Sequence, residues 1–204
     1  MDRKLIISVL LFLIITSGFF YSYDLMSIRT PTGKVVIDFS SNTVIMPIKV
    51  HIVKDSSGLY TSFRDEENIL NLFNEVNRIW SQADIYFSIE EIVITEVSSE
   101  AIPDAMNVNY LEFYNNQNFD KDKINVFFTQ SLNGINGIAL AKINTALIAD
   151  FTTVNDFRAT SHELGHLLGL KHVPPADRLM ARGMNGELLT SGEILITREN
   201  AIAS

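Results

Sequence analysis

Residues 162–172 read HELGHLLGLKH, from His162 to His172, and hold three of the chain's four histidines. On a helix, side chains four positions apart share one face and lie about one turn apart, so His162 and His166 can hold one ion together. Neutral imidazole is a favoured zinc ligand. Glu163 follows the first histidine and projects beside such an ion, near enough to reach a water but poorly placed to coordinate. Leu164, Leu167 and Leu168 fall away from the ligand edge and are expected to face a core. Gly169 can adopt φ > 0 and end the helix, after which the chain can turn and return His172 to the same ion. Three imidazoles leave a fourth coordination position open, the layout of a catalytic zinc site. A bare HExxH arises by chance in roughly one chain in 40 of this length, and requiring Gly169 and His172 lowers that by a further factor of roughly 400.

HExxHxxGxxH followed by a methionine turn resembles the motif of the metzincin zinc endopeptidases. In that resemblance His162, His166 and His172 match the three ligands of one catalytic Zn2+. Glu163 matches the general base, and Gly169 the glycine where the active-site helix ends. Met180, in Asp177-Arg178-Leu179-Met180-Ala181, matches the methionine that lies under the metal without binding it; it stands eight residues after the third ligand. The resemblance implies a protein or peptide substrate held in extended form along Ile138, Ala139, Leu140 and Ala141, as a strand added to an exposed edge. It also implies that Glu163 takes a proton as water attacks the scissile carbonyl and passes it to the leaving amine. Placement within the family is loosely matrixin- or reprolysin-like. Val173 is neither the aspartate expected of reprolysins, the serine of matrixins nor the glutamate of astacins. Arg182 stands two residues after Met180, where astacins and serralysins carry a tyrosine able to bind zinc.

The surrounding pattern reads as α+β. Residues 44–54 are β-branched and apolar, a strand. Ser62 or Asp65 is the expected cap of a long helix to about residue 83, whose Ile69, Phe73, Val76, Trp80 and Ala83 share one face. Residues 86–97 and 124–129 read as further strands, 98–108 as a loop and 110–116 as a short helix. Residues 138–141 and 145–150 read as two short strands. Thr152 or Thr153 is the expected cap of the active-site helix, 154–168. Thr190 with Glu193 three residues later is a capping box for a last helix. In the resemblance this is a metzincin-like zincin: a twisted mixed sheet, a long N-terminal helix, an active-site helix and a C-terminal helix, over residues 44–204.

Arg3 and Lys4 precede an uncharged run, residues 5–23, that reads as a secretory signal or a membrane anchor. Either reading sends the chain out of the cytoplasm, with residues 24–43 as a linker and a tether to the membrane if the run is retained. The 204 residues carry 16 basic and 24 acidic side chains, net −8, which argues against a nucleic-acid partner. The absence of cysteine excludes disulfides, thiol nucleophiles, zinc fingers and a cysteine latency switch. His51, alone in the first strand, reads as structural. Asn118, Asp120 and Asp122 form a loop acidic enough for calcium, but without the glycine and distal glutamate of an EF-hand. A monomer is expected. Two rival readings are a catalytically dead binding module on this fold and a zinc hydrolase acting on a non-peptide amide.

Overall fold

Runs of Val and Ile set the strands of the sheet, and a computed structural model describes them within residues 27–30, 33–38 and 42–203. The signal or anchor expected at residues 1–23 lies outside the described residues. Among these residues no helix is long and apolar enough to cross a membrane. The strands are β1 (Ser27–Thr30), β2 (Gly33–Asp38), β3 (Thr43–Asp55), β4 (Ile85–Val97), β5 (Ile124–Thr129), β6 (Gly137–Leu140) and β7 (Thr145–Ala149). The helices are α1 (Glu66–Trp80), α2 (Ala101–Met106), α3 (Leu111–Asn115), α4 (Asp156–Leu167) and α5 (Ser191–Ala203).

β3 is the spine of the sheet. β4 runs parallel along one of its edges, from the pair Val44 and Ile85 to Asp55 and Val97. The other edge takes antiparallel β2 at residues 43–45 and parallel β5 at residues 48–52. β7 lies parallel to β5, and β6 closes that side antiparallel to β7. No described strand covers the outer edge of β6. Parallel neighbours require a crossover, and α1 supplies it between β3 and β4. The fold is therefore mixed α/β, where the sequence pattern suggested α+β: from β3 to β5 helices alternate with strands that pair in parallel.

Period-two alternation divides the core. Ile48, Val50, Val126, Phe128 and Ile148 turn to the face covered by α1, α4 and α5. Val53, Phe127, Leu147 and Ala149 turn to the face covered by α2 and α3. α1 presents Ile69, Leu72, Phe73, Val76, Ile79 and Trp80 to the first face. Its cap is Asp65, whose carboxylate accepts from Asn68 N–H while the Asn68 side chain reaches back to the Asp65 N–H.

Three segments outside the active-site helix also depart from the sequence pattern. The loop expected at residues 98–108 contains α2, because Ala101, Ile102 and Ala105 bury one short face and Pro103 falls in the first turn, where no intrahelical N–H is needed. The linker expected at residues 24–43, within which residues 34–39 read as a candidate short strand, contains that strand as β2 and also β1, which pair with each other and onto β3. Ala141 leaves the expected edge strand and opens a 3-10 turn, residues 141–143.

His51 is fully buried between strands. Its ring stacks on Phe127 with centroids 4.0 Å apart. Thr95 Oγ1 lies 2.8 Å from Nδ1, and Asn125 Oδ1 lies 3.0 Å from Nε2 and accepts its proton. Burial pushes the His51 pKa down to about 4, with Lys49 adding to the effect and the Asn125 hydrogen bond opposing it. The unfolded chain binds this proton near 6.5, so the neutral ring contributes stability that is complete above pH 6.5 and lost as pH falls towards 4. A shift of this size corresponds to roughly 3 kcal/mol. In urea titrations, the stability difference between wild type and His51→Gln should shrink by about that amount from pH 7.5 to 4. A difference that stays constant with pH would contradict the assignment.

Candidate metal centre

α4 carries the motif. It begins at Asp156 behind Asn155, two residues later than the sequence suggests, because Thr152 Oγ1 donates to Val154 O and neither threonine caps the helix. Its C-terminus closes with two hydrogen bonds, Leu170 N–H to Gly165 O (2.9 Å) and Gly169 N–H to His166 O (3.1 Å). This is the Schellman arrangement, which needs a left-handed residue at Gly169, and its φ is +87°. A side chain there would also strike Asn200, whose Nδ2 donates to Leu168 O. The reversal brings His172 back over the helix.

The three imidazoles meet at their Nε2 atoms. His172 Nε2 lies 3.1 Å from His162 Nε2 and 3.1 Å from His166 Nε2. Among the described residues this is the one group of three His, Asp or Glu side chains that converges. His162 Nδ1–H donates to Leu179 O (2.8 Å) and His166 Nδ1–H to Leu170 O (2.9 Å). Those bonds fix the tautomer that leaves Nε2 with its lone pair. His172 is oriented differently: Arg182 Nε–H donates to its Nδ1 at 3.1 Å, a bond that gives way when the ring proton moves to Nδ1 and frees Nε2 to ligate. Burial lowers the pKa of His162 to about 4, with Arg158, His166 and His172 adding to the effect and the Leu179 carbonyl opposing it. His172 is lowered by burial, His166, Arg182 and Arg158.

This donor set fits zinc. Tetrahedral ligation at ~2.0–2.1 Å places neighbouring donor atoms ~3.3 Å apart, close to the two distances from His172 Nε2, and all three donor atoms lie within 4.8 Å of one another. Neutral nitrogen donors and backbone carbonyls behind two of them complete the match.

Met180 is buried and presses on α4 at Gly165, between His162 and His166 in sequence: a Cβ on Gly165 would lie 2.7 Å from Met180 Sδ. Arg158, one turn before His162, is buried and holds the loop from below. It donates to Leu179 O (2.6 Å), Gly186 O (3.3 Å) and Ala181 O. Leu179 O thus receives both Arg158 and His162. Arg158, Gly165 and Gly137 are site residues that the sequence pattern does not disclose.

Glu163 lines the same cleft as the triad and packs against β6. Its Cγ would lie 2.6 Å from a Cβ on Gly137, so the strand's first residue must lack one. The β6–β7 register, continued by Ala149 N–H to Asn136 O, leaves the backbone groups of Gly137 and Ala139 pointing off the free edge. The Ala139 N–H meets the Glu163 carboxylate. Burial pushes Glu163 up to about 7, against the pull of Arg158 and of that N–H. The cleft between β6 and α4 measures about 530 Å³. Ile138, Ala139 and Ala141 line one side, and Arg182 and Gly183 border it as well.

The acidic loop proposed for calcium is engaged by the chain itself. Asp120 meets Lys123 at 3.1 Å and the Asp122 N–H at 3.0 Å, and Asn118 Nδ2 donates to Ile94 O.

No protein-family model and no curated protein sequence matches the chain. Solved structures do. Archaemetzincin from Methanopyrus kandleri superposes with a TM-score of 0.55 at 10% identity, over 76% of this chain and 94% of that one. Metalloproteinase-II from Bacteroides fragilis superposes with a TM-score of 0.52 at 15% identity, over 91% of this chain and 60% of that one. The chain thus spans less than two thirds of the second protein's length. At these identities the likeness is one of fold: this chain and the two metallopeptidases share an architecture.

Proposed function

We propose that this chain is a zinc-dependent endopeptidase of the metzincin type, acting on extended protein substrates with Glu163 as general base. One observation carries the reading: three Nε2 atoms converge beside a buried carboxylate, under a strand edge with free backbone groups. The fold shared with archaemetzincin and metalloproteinase-II supports it, and favours neither the matrixins nor the reprolysins. Export from the cytoplasm, with residues 5–23 removed or kept as a tether, belongs to the same proposal and rests on that run alone. A monomer is part of it too.

His162, His166 and His172 hold the ion, and zinc in such a site supplies Lewis acidity towards water and a carbonyl oxygen. The outward backbone groups of Gly137 and the Ala139 carbonyl take an extended peptide as an added strand. Glu163, tuned to about 7, accepts a proton from the attacking water at its carboxylate and delivers it to the departing amide nitrogen. Arg158 keeps the loop carrying Met180 seated under the ligands.

Incubating the zinc-loaded protein with casein and sequencing the fragments tests this reading. Internal cleavage that stops with a chelator and returns with zinc is expected. Zinc binding with casein left intact would favour the dead module or the non-peptide hydrolase. Gly137→Ala is expected to keep zinc and lower kcat/KM roughly 100-fold, because its Cβ displaces the Glu163 side chain. Metal content and steady-state kinetics on the purified variant check it; unchanged kinetics would contradict the contact.

A further inference from the structure

Six arginine side chains are described, and four pair with carboxylates. Arg64 meets Asp150 and Asp156, Arg78 meets Glu75 and Glu187, Arg178 meets Asp177, and Arg198 meets Asp84. Arg158 and Arg182 form no ion pair among the described residues, and both line the cleft. In a chain of net charge −8, the two described guanidinium groups without an ion pair line the same cleft.

Arg158 is 2% exposed, and its donors reach only neutral backbone carbonyls. Arg158 acts on Glu163 at a distance without forming an ion pair, so two guanidinium groups share the cleft with one carboxylate and positive charge is left over. Arg182 is exposed at the rim, and its Nε touches a neutral ring nitrogen of His172. The cleft's one carboxylate is Glu163. A guanidinium is a planar fork suited to a carboxylate's two oxygens.

We propose that the cleft selects peptides with an Asp or Glu side chain within two residues of the scissile bond. Arg182 receives the carboxylate, and Arg158 supplies buried positive charge behind it. This rests on the peptidase reading above.

The test uses peptides that differ only by Glu or Gln at each of the four positions around the cleaved bond. Zinc-loaded wild type and Arg182→Ala are compared by the Glu/Gln ratio of kcat/KM. The Kd of the same peptides is measured on the Glu163→Gln protein, with and without Arg182→Ala, so that recognition is read without hydrolysis. In wild type one position should favour Glu by about tenfold, the Kd ratio should follow, and Arg182→Ala should reduce both ratios below about threefold. Charge reversal by Arg182→Glu should push the Glu/Gln ratio at that position below one. Ratios near one in wild type, or ratios that survive Arg182→Ala, would overturn the proposal. Casein cleavage without any Glu preference would defeat this inference alone. Intact casein with a Glu preference in Kd that depends on Arg182 would defeat the peptidase reading and leave acid recognition standing.

Discussion

Glu163→Gln leaves zinc bound and lowers kcat/KM for peptide hydrolysis by about 10²–10⁴-fold, the range a positioned general base contributes. Three features of the structure lead to this expectation. The carboxylate is buried and points at β6, so the amide replaces it without removing a ligand. Burial holds its pKa at about 7, where it can both take and return a proton near neutral pH; Gln can do neither. The amide has nearly the same volume, so the contact with Gly137 survives. Removing a buried charge also relieves a desolvation cost, and the melting temperature should stay level or rise. Kinetics on a cleaved peptide, with zinc content measured on the same sample, decide the matter. Full activity would remove Glu163 from the chemistry, and loss of zinc would make it a ligand.

His166→Ala is the second large effect. Zinc binding in comparable sites is worth ~10–16 kcal/mol over three or four ligands, so losing one should weaken affinity on the order of 10³-fold. Hydrolysis at limiting zinc should fall with it. His166 is only half-buried, at the cleft edge, so the fold should survive the change. His51→Gln is the control: its ring is held by Thr95 and Asn125 within the sheet, so zinc affinity should not change. Competition with a chromophoric chelator measures both variants. An unchanged affinity in His166→Ala would mean that the ion sits elsewhere.

These residues differ in how plainly the sequence exposes them. The triad is legible because helical spacing and one glycine turn bring its members together within eleven residues, with no help from the rest of the chain. β5 is legible for a similar local reason, since its apolar run matches its strand, and α1 shows its buried stripe directly. Arg158 is not legible. An arginine one turn before a ligand reads as a solvated face, and its burial depends on carbonyls at residues 179, 181 and 186, supplied by a distant loop. Gly165 and Gly137 are hidden for the same reason, because the atoms that exclude a Cβ belong to Met180 and Glu163. α2, within residues 98–108, is hidden because one short buried face, Ala101, Ile102 and Ala105, holds it against the sheet and leaves no long periodic signal. Parallel pairing of β3 with β4 and β5, which turns α+β into mixed α/β, is a long-range property with no local signature.

Titrating zinc into the chelator-stripped protein, with casein hydrolysis as the readout, tests the central claim most directly. One catalytic ion on His162, His166 and His172 predicts no activity without metal, a linear rise, and a break at one equivalent. Hydrolysis before any zinc is added, or no hydrolysis once one equivalent is bound, would contradict it.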